Sequence, residues 1–339
     1  MIYYLESEDK VNYHIALLED NYIESLFKQI VPDNSLVIFN STPPYNFHEW
    51  WNNTVIPLLN NSDISCIVWD LASNPISVKH YQTIINLYHN KLPYYCYVGN
   101  FDMHQSQLPS NTVFFPFWAY WSSLQPLETV KLTRTYKLSS LNGNDWSHRK
   151  YAYMQLAKRS YFNQMVFTFG IRKTQFDFLN SLTLTEEDLA EFKKLPSTVT
   201  HNETDHADNL DIYTTHPAFQ DTYVNLVNET SIANELAIVS EKTFKPIRAH
   251  QLFVIIATVG AVKFLRDIGF DVFDDVIDHS YDLITNEKLR IETAIQQLDL
   301  LAEMDLPTLF VKLQPRLEQN ARWLASEEFR QQFSLTFEL

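Results

Sequence analysis

The chain has 339 residues, a formal net charge of -15, and a composition that is 45% hydrophobic and 20% charged. So much apolar surface excludes a disordered chain, the length accommodates two domains of roughly 100 to 200 residues each, and the negative balance excludes indiscriminate binding to nucleic-acid backbones. With only 5 glycines, glycine-rich phosphate loops are excluded too, so any bound phosphate has to be held by side chains.

In chain order, "MIYYLESEDK" has neither a basic start nor a long apolar stretch, and no run approaches the roughly 18 apolar residues of a membrane span. A soluble, cytoplasmic protein is expected. Cys66 and Cys96 lie in separate apolar runs, spaced neither as metal ligands nor as a disulfide framework, and are expected as buried thiols. The runs "MIYYLE", "SLVIFN", "SCIVWDL", "YYCYVGN" and "TVFFPFW" are short, β-branched or aromatic, and separated by helical-length segments. That alternation predicts buried parallel strands with crossover helices. It lapses between Ser122 and Thr133, where a domain boundary is expected.

A second alternation follows. "TYKLSSLN" predicts a strand turning at Asn142 and Gly143, Trp146 to Phe162 a helix, "MVFTFG" a strand, and "TEEDLAEFKKL" a surface helix with acids first and lysines last, as the helix dipole prefers. Ser197 to His216 is polar and aperiodic and reads as a loop. Its His201, Asp205, His206, Asp208 and His216 could build a metal site but lack a compact ligand motif. "DTYVNLVNET" predicts a strand, Ser240 a helix N-cap, and "LFVIIAT" a buried strand. Then come "AVKFLRDIG", an acidic turn region around "FDDVID", a long helix from about Thr285 to Met304 and a helical tail. "FDDVID" reads as a solvated turn, with a metal site as the alternative.

Two successive α/β units predict two Rossmann-like halves facing a cleft. The expected boundaries are an acceptor domain at 1–130, a donor-binding domain at 131–310 and a C-terminal helical tail at 311–339. Ligands in such sheets gather at the carboxyl ends of strands. Two segments there could hold an anion. The first is "SEKTFKPIR", with Ser240 as N-cap, Glu241 suited to a ribose diol, and Lys242 and Lys245 about one turn apart; Pro246 is expected to kink or break this helix. The second is the stretch after Ser139 and Ser140 that places Arg149 near a helix start, with His148 expected at the surface or behind the site. A mixed-charge, solvated helix end is the alternative reading of each. Basic residues also crowd the region from Lys131 to Lys173, against the single carboxylate Asp145.

"SEKTFKPIRAHQLFVIIATVGAVKFLRDIGFDVFDD" resembles the C-terminal signature of a group of glycosyltransferases common in tailed-phage genomes, an S/T-E-K-T-x-K-P-I segment followed by an apolar strand, a glycine turn and L-R-x-x-G-F-x-x-F. "YKLSSLNGNDWSHRKYAYMQL" is similar to a second signature of that group, an S-x-L-N block followed by H-R, and "FFPFW" is also similar. More distantly, "VNET", then "SEK", then an apolar strand resembles the donor-binding half of α1,3-fucosyltransferases. The resemblance implies a GT-B-like enzyme using a nucleotide-diphosphate sugar, with no tightly bound cofactor. By position it puts Glu241 on the donor ribose, Lys242 and Arg149 on the diphosphate, and Asn228 and Glu229 near the sugar or base; "VNET" departs from F-E-N-S in where the acid falls.

An inverting transfer requires a general base, commonly a carboxylate from the other half. Asp70, ending "CIVWD", and Asp102, after "YYCYVGNF", are the candidates, each with a turn or capping role as its alternative. The chain contains no D-x-D triad, which is compatible with a metal-independent enzyme. The acceptor is expected to be a glycan or a hydroxymethylated pyrimidine in phage DNA, and the compartment the host cytoplasm if the chain is viral. A protein that keeps the fold without turnover is the alternative function.

Overall fold

The computed structural model describes residues 116–127, 129–172, 182–201, 217–233 and 239–333, together with Pro57 and five strands that precede them. Those strands are β1 (Tyr3–Glu6), β2 (Ser35–Phe39), β3 (Cys66–Leu71), β4 (Tyr94–Val98) and β5 (Thr112–Phe114). All pair in parallel, in the order β1-β2-β3-β4-β5. Parallel neighbours need crossover connections, and the segments between these strands are long enough to provide them. The order of these described strands does not reverse, so no switch point lies among them.

The chain divides into two compact units, Met1–Phe117 with Gln332–Leu339, and Trp118–Gln331. The second unit opens with α1 (Phe117–Ser123), whose first residue belongs to the division point. It then builds β6 (Tyr136–Asn144), α2 (Ser147–Ala157), β7 (Val166–Arg172), α3 (Glu186–Phe192), β8 (Val199–His201), α4 (Pro217–Gln220), β9 (Thr222–Asn228), α5 (Glu241–Arg248) and β10 (Leu252–Ile256). Four helices complete it: α6 (Ala261–Asp267), α7 (Glu287–Glu303), α8 (Leu306–Leu324) and α9 (Glu327–Gln331). Among the described residues no helix is long and apolar enough to cross a membrane.

The second sheet runs β10-β9-β6-β7-β8, parallel except where β7 meets β8. The fold class is the expected one, mixed α/β with parallel-dominated sheets. Every residue of β9 and β10 is buried, which requires cover on both faces. One helix group, α2 with α3 and α7, packs together and reaches β10 through α7; a second, α5 with α8, packs on β9 and β10. The aperiodic stretch from Ser197 contains the short edge strand β8, too brief to show an alternation. Gly170 on β7 makes that edge possible: its φ is +65°, and a Cβ there would lie 2.3 Å from the Ser197 carbonyl oxygen.

A buried arginine closes the amino end of this sheet. Arg134 donates to the carbonyls of Phe219 (3.0 Å), Thr222 (2.6 Å) and Ala249 (2.6 Å) and stacks 4.6 Å from the Phe310 ring. Burial pushes its pKa down to about 10, and the carbonyl partners offset that desolvation.

Candidate functional site at the carboxyl edge of the second sheet

From β6 the chain moves outward to β7, then returns to lay β9 on the other side of β6. The order therefore reverses between β6 and β9, and such a switch point opens a crevice at the carboxyl ends of the strands. The residues delivered there are Asn142 to Asn144 from β6, the start of α2, Asn228 to Ser231 after β9, the start of α5, and Ala257 to Gly260 after β10.

Arg149 comes from the first turn of α2 and is 3% exposed. Its guanidinium bonds the carbonyls of Asn228 and Glu229, both at 3.2 Å, and lies 4.5 Å from the Trp146 ring centroid. It thus ties α2 to the end of β9. His148 is fully buried rather than at the surface, and donates from Nε2 to the Glu229 carbonyl at 3.0 Å.

Glu229 is 0% exposed. Its Oε1 accepts from the Ser240 N–H (3.0 Å) and Thr243 Oγ1 (2.5 Å), and its Oε2 from Ser240 Oγ (2.5 Å) and the Thr230 N–H (3.1 Å). Four donors satisfy a carboxylate that burial would otherwise penalise. The charge also sits beside the N-terminus of α5, where the dipole favours it. The acid of "VNET" therefore faces into the protein and fixes the start of α5.

Ser240 caps α5, accepting from the Lys242 N–H at 3.4 Å. Lys242 Nζ donates to Glu241 Oε1 (2.7 Å), Thr230 Oγ1 (3.2 Å) and Ser240 Oγ (3.3 Å). An ammonium has three donors, so all three are engaged within the protein. Lys242 retains 18% side-chain exposure beside the 6% of Glu241 and lines a cavity of about 10 Å³ with Asn225 and Asn228, room for about one water. Lys245 and Arg248 are buried, and Arg248 donates to the Pro126 carbonyl at 2.7 Å. α5 continues through Pro246 to Arg248 instead of ending there. The proline has no N–H to give the Lys242 carbonyl, so one bond is lost, and the burial of Phe244 and Ile247 on either side holds the helix in place.

The loops after β9 and β10 are held from behind by α7. Arg290, 1% exposed, donates to the carbonyls of Ala257 (2.9 Å), Ile232 (2.7 Å) and Ile284. Asp282 accepts from the N–H groups of Val262 and Lys263, each at 3.0 Å, and so caps α6; burial nevertheless raises its pKa. The sequence reading missed Arg290 and Asp282 as supports of this edge, for neither lies in a motif.

Asp70 is the penultimate residue of β3, at the carboxyl end of the central strand of the first sheet. Asp102, Asp205, His206, Asp208 and His216 lie outside the described residues. His201 lies on β8 against the Phe162 ring. In "FDDVID", Asp274 pairs with Arg266, Asp275 pairs with Arg316, and Asp278 caps the turn at Ser280. Among the described residues no group of three or more His, Cys, Asp or Glu is arranged to hold a metal ion.

The basic run does not form a cationic surface among its described members. Lys131 pairs with Asp221, Lys150 with Asp145, Lys158 with Glu191 and Arg159 with Asp299. Lys137 donates to the Ala302 carbonyl, and Arg134 and Arg149 are buried.

No protein-family model and no curated protein sequence matches the chain. Among solved structures it is similar to T4 phage BGT in complex with UDP and Mn2+, at 12% identity and TM-score 0.43, over 88% of this chain and 81% of that one. It is also similar to an α1,3-fucosyltransferase, at 10% identity and TM-score 0.35, over 89% of this chain and 95% of that one.

Proposed function

We propose that the chain is a glycosyltransferase that takes a nucleotide-diphosphate sugar at the carboxyl edge of its second sheet. One observation carries the reading: the two signature segments, distant in sequence, are joined through Glu229 at the β6–β9 switch point, for Arg149 of the first bonds the Glu229 carbonyl while the Glu229 carboxylate accepts from Ser240 and Thr243 of the second. In this reading Glu241 takes the ribose diol, while Lys242 and Arg149 face the diphosphate. Ser240 and Lys245 hold α5 in place, Glu229 acts through α5, and Asn228 stands nearest the sugar. Phosphate oxygens replace the Glu241 carboxylate on Lys242 as Glu241 turns to the diol.

The transfer moves one proton and breaks one bond. A carboxylate base, for which Asp70 and Asp102 are the candidates, takes the acceptor hydroxyl proton as the oxygen attacks the anomeric carbon. The bond from that carbon to the β-phosphate oxygen breaks, and the nucleoside diphosphate leaves with the negative charge, stabilised by Lys242 and Arg149. Attack from the face opposite the leaving group inverts the centre, and the two cations supply the neutralisation that a metal gives elsewhere. Pairing across the basic run favours a glycan acceptor over hydroxymethylated DNA, because few described cations are left to meet a phosphate backbone.

A thermal-shift panel of UDP, GDP and ADP with their sugar conjugates tests the donor. A ligand at a hundred times its Kd stabilises by about 2.7 kcal/mol, and Lys242→Ala should abolish that shift while the unliganded melting temperature stays near wild type. Silence of the wild type across the panel would overturn the reading. The full engagement of Lys242 within the protein favours a second one, a protein that keeps the fold without turnover. It predicts binding with no hydrolysis of any nucleotide sugar, even at long incubation.

A further inference from the structure

The switch point holds buried hydrogen-bond acceptors that the described protein does not use. Ser140 Oγ has one proton and gives it to the Leu226 carbonyl at 2.9 Å. It therefore accepts from its other neighbours, Asn142 Nδ2 and Asn228 Nδ2, each at 3.1 Å. While the hydroxyl proton stays on the Leu226 carbonyl neither amide turns over, because an amide oxygen facing Ser140 would then meet no proton. The orientation of both side chains is thus set by one hydroxyl. Among the described residues, Asn142 Oδ1 and Asn228 Oδ1 accept no hydrogen bond although both are buried, and Thr258 Oγ1, just beyond β10, has no partner either. Buried acceptors are almost always satisfied. Two adjacent strands carrying unused amide oxygens at the same end of a sheet therefore point to a partner that arrives from outside.

The chemistry of that partner follows from the atoms. Amide oxygens only accept, so they repel a phosphate oxygen and receive O–H or N–H groups. We propose that Ser140 presents Asn142 and Asn228 as a preset acceptor pair for hydroxyl groups of the donor's ribose or sugar. The assignment rests on the nucleotide-sugar reading and adds to it a division of labour. Lys242 and Arg149 meet the charged part of the ligand, and the amide pair meets its hydroxyls. Ser140 is a positioning residue, since it acts through the two amides.

The test compares binding of UDP-glucose, GDP-mannose and ADP-glucose with binding of inorganic pyrophosphate, by calorimetry on the full chain. Ser140→Ala frees both amides and should weaken the nucleotide sugar that wild type binds by about tenfold, leaving pyrophosphate unchanged. Ser140→Thr, which keeps the hydroxyl, should restore the affinity. Equal weakening of both probes, or no weakening of either, would overturn the acceptor pair while leaving the glycosyltransferase reading standing. Failure of wild type to bind any of the three sugars would overturn both. If Ser140→Ala does not fold, Asn142→Ser removes one acceptor without burying a charge, and the same split between probes decides.

Discussion

At the residue scale, the buried charges of the crevice show how one side chain can set the shape of a site. Replacing Glu229 by Gln puts an amide N–H₂ among donors that the carboxylate now accepts from. A loss of about 1–3 kcal/mol in urea unfolding is expected, the cost of a buried polar group left unpaired. Gly170→Ala should cost about 2 kcal/mol or more on the same measurement, because the new Cβ meets the Ser197 carbonyl and φ is positive. Of the residues named from sequence as donor-binding, Arg149, Asn228, Glu229, Ser240, Glu241 and Lys242 come together at one edge, and Lys245 is buried about one turn further along α5. Their individual bonds were not legible, because each depends on a partner remote in sequence, as with Arg149 and Glu229, 80 positions apart. The S-x-L-N block contained the signal for Asn142, but nothing in it distinguished Ser139, which bonds Thr222, from Ser140, which orients two amides.

Elements were far easier to read. Apolar runs such as "LFVII" and "VFTFGIR" became strands because a buried parallel strand needs apolar residues toward both faces, and "TEED" became a helix start because its residues cap locally. Thr185 accepts from the Asp188 N–H at 3.1 Å while Asp188 accepts from the Thr185 N–H at 2.7 Å. Such a reciprocal cap is contained in four consecutive residues and therefore visible in sequence. Thr185→Ala should lower stability by about 1 kcal/mol, read as a shift in the urea midpoint with an unchanged slope. Pro246 shows the opposite case: local chemistry predicts a kink or a break, and the helix runs on through it with Phe244 and Ile247 buried on either side.

For the whole molecule, acid stability follows from two histidines, His279 buried and His250 half-buried. Burial lowers His250 to about 4 and lowers His279 below its ordinary value. In the unfolded chain both take up protons near pH 6.5. The unfolded state therefore holds more protons between about pH 6.5 and 4, and stability should fall as pH drops through that window. Asp282, whose pKa burial raises, works in the other direction, since its cost is relieved as it protonates. Melting temperatures at pH 7, 6, 5 and 4 should decline stepwise, and the decline should shrink in His250→Gln. The second unit holds one complete sheet with helices on both faces, so a fragment spanning Trp118–Gln331 should melt cooperatively on its own.

Sequence by itself determined the class of fold and most of the succession of strands and helices along the chain. Those properties are local, written in periodicity, turn chemistry and short motifs. Only the tertiary structure decided where the charges went. The basic run from Lys131 to Lys173 reads as one patch along the chain, yet Lys131 meets Asp221 and Arg159 meets Asp299 from distant segments. Glu229 likewise faces inward to start a helix. Charge interacts with whatever lies within a few ångströms in space, and spatial neighbours at those distances are assigned by the fold, not by the chain.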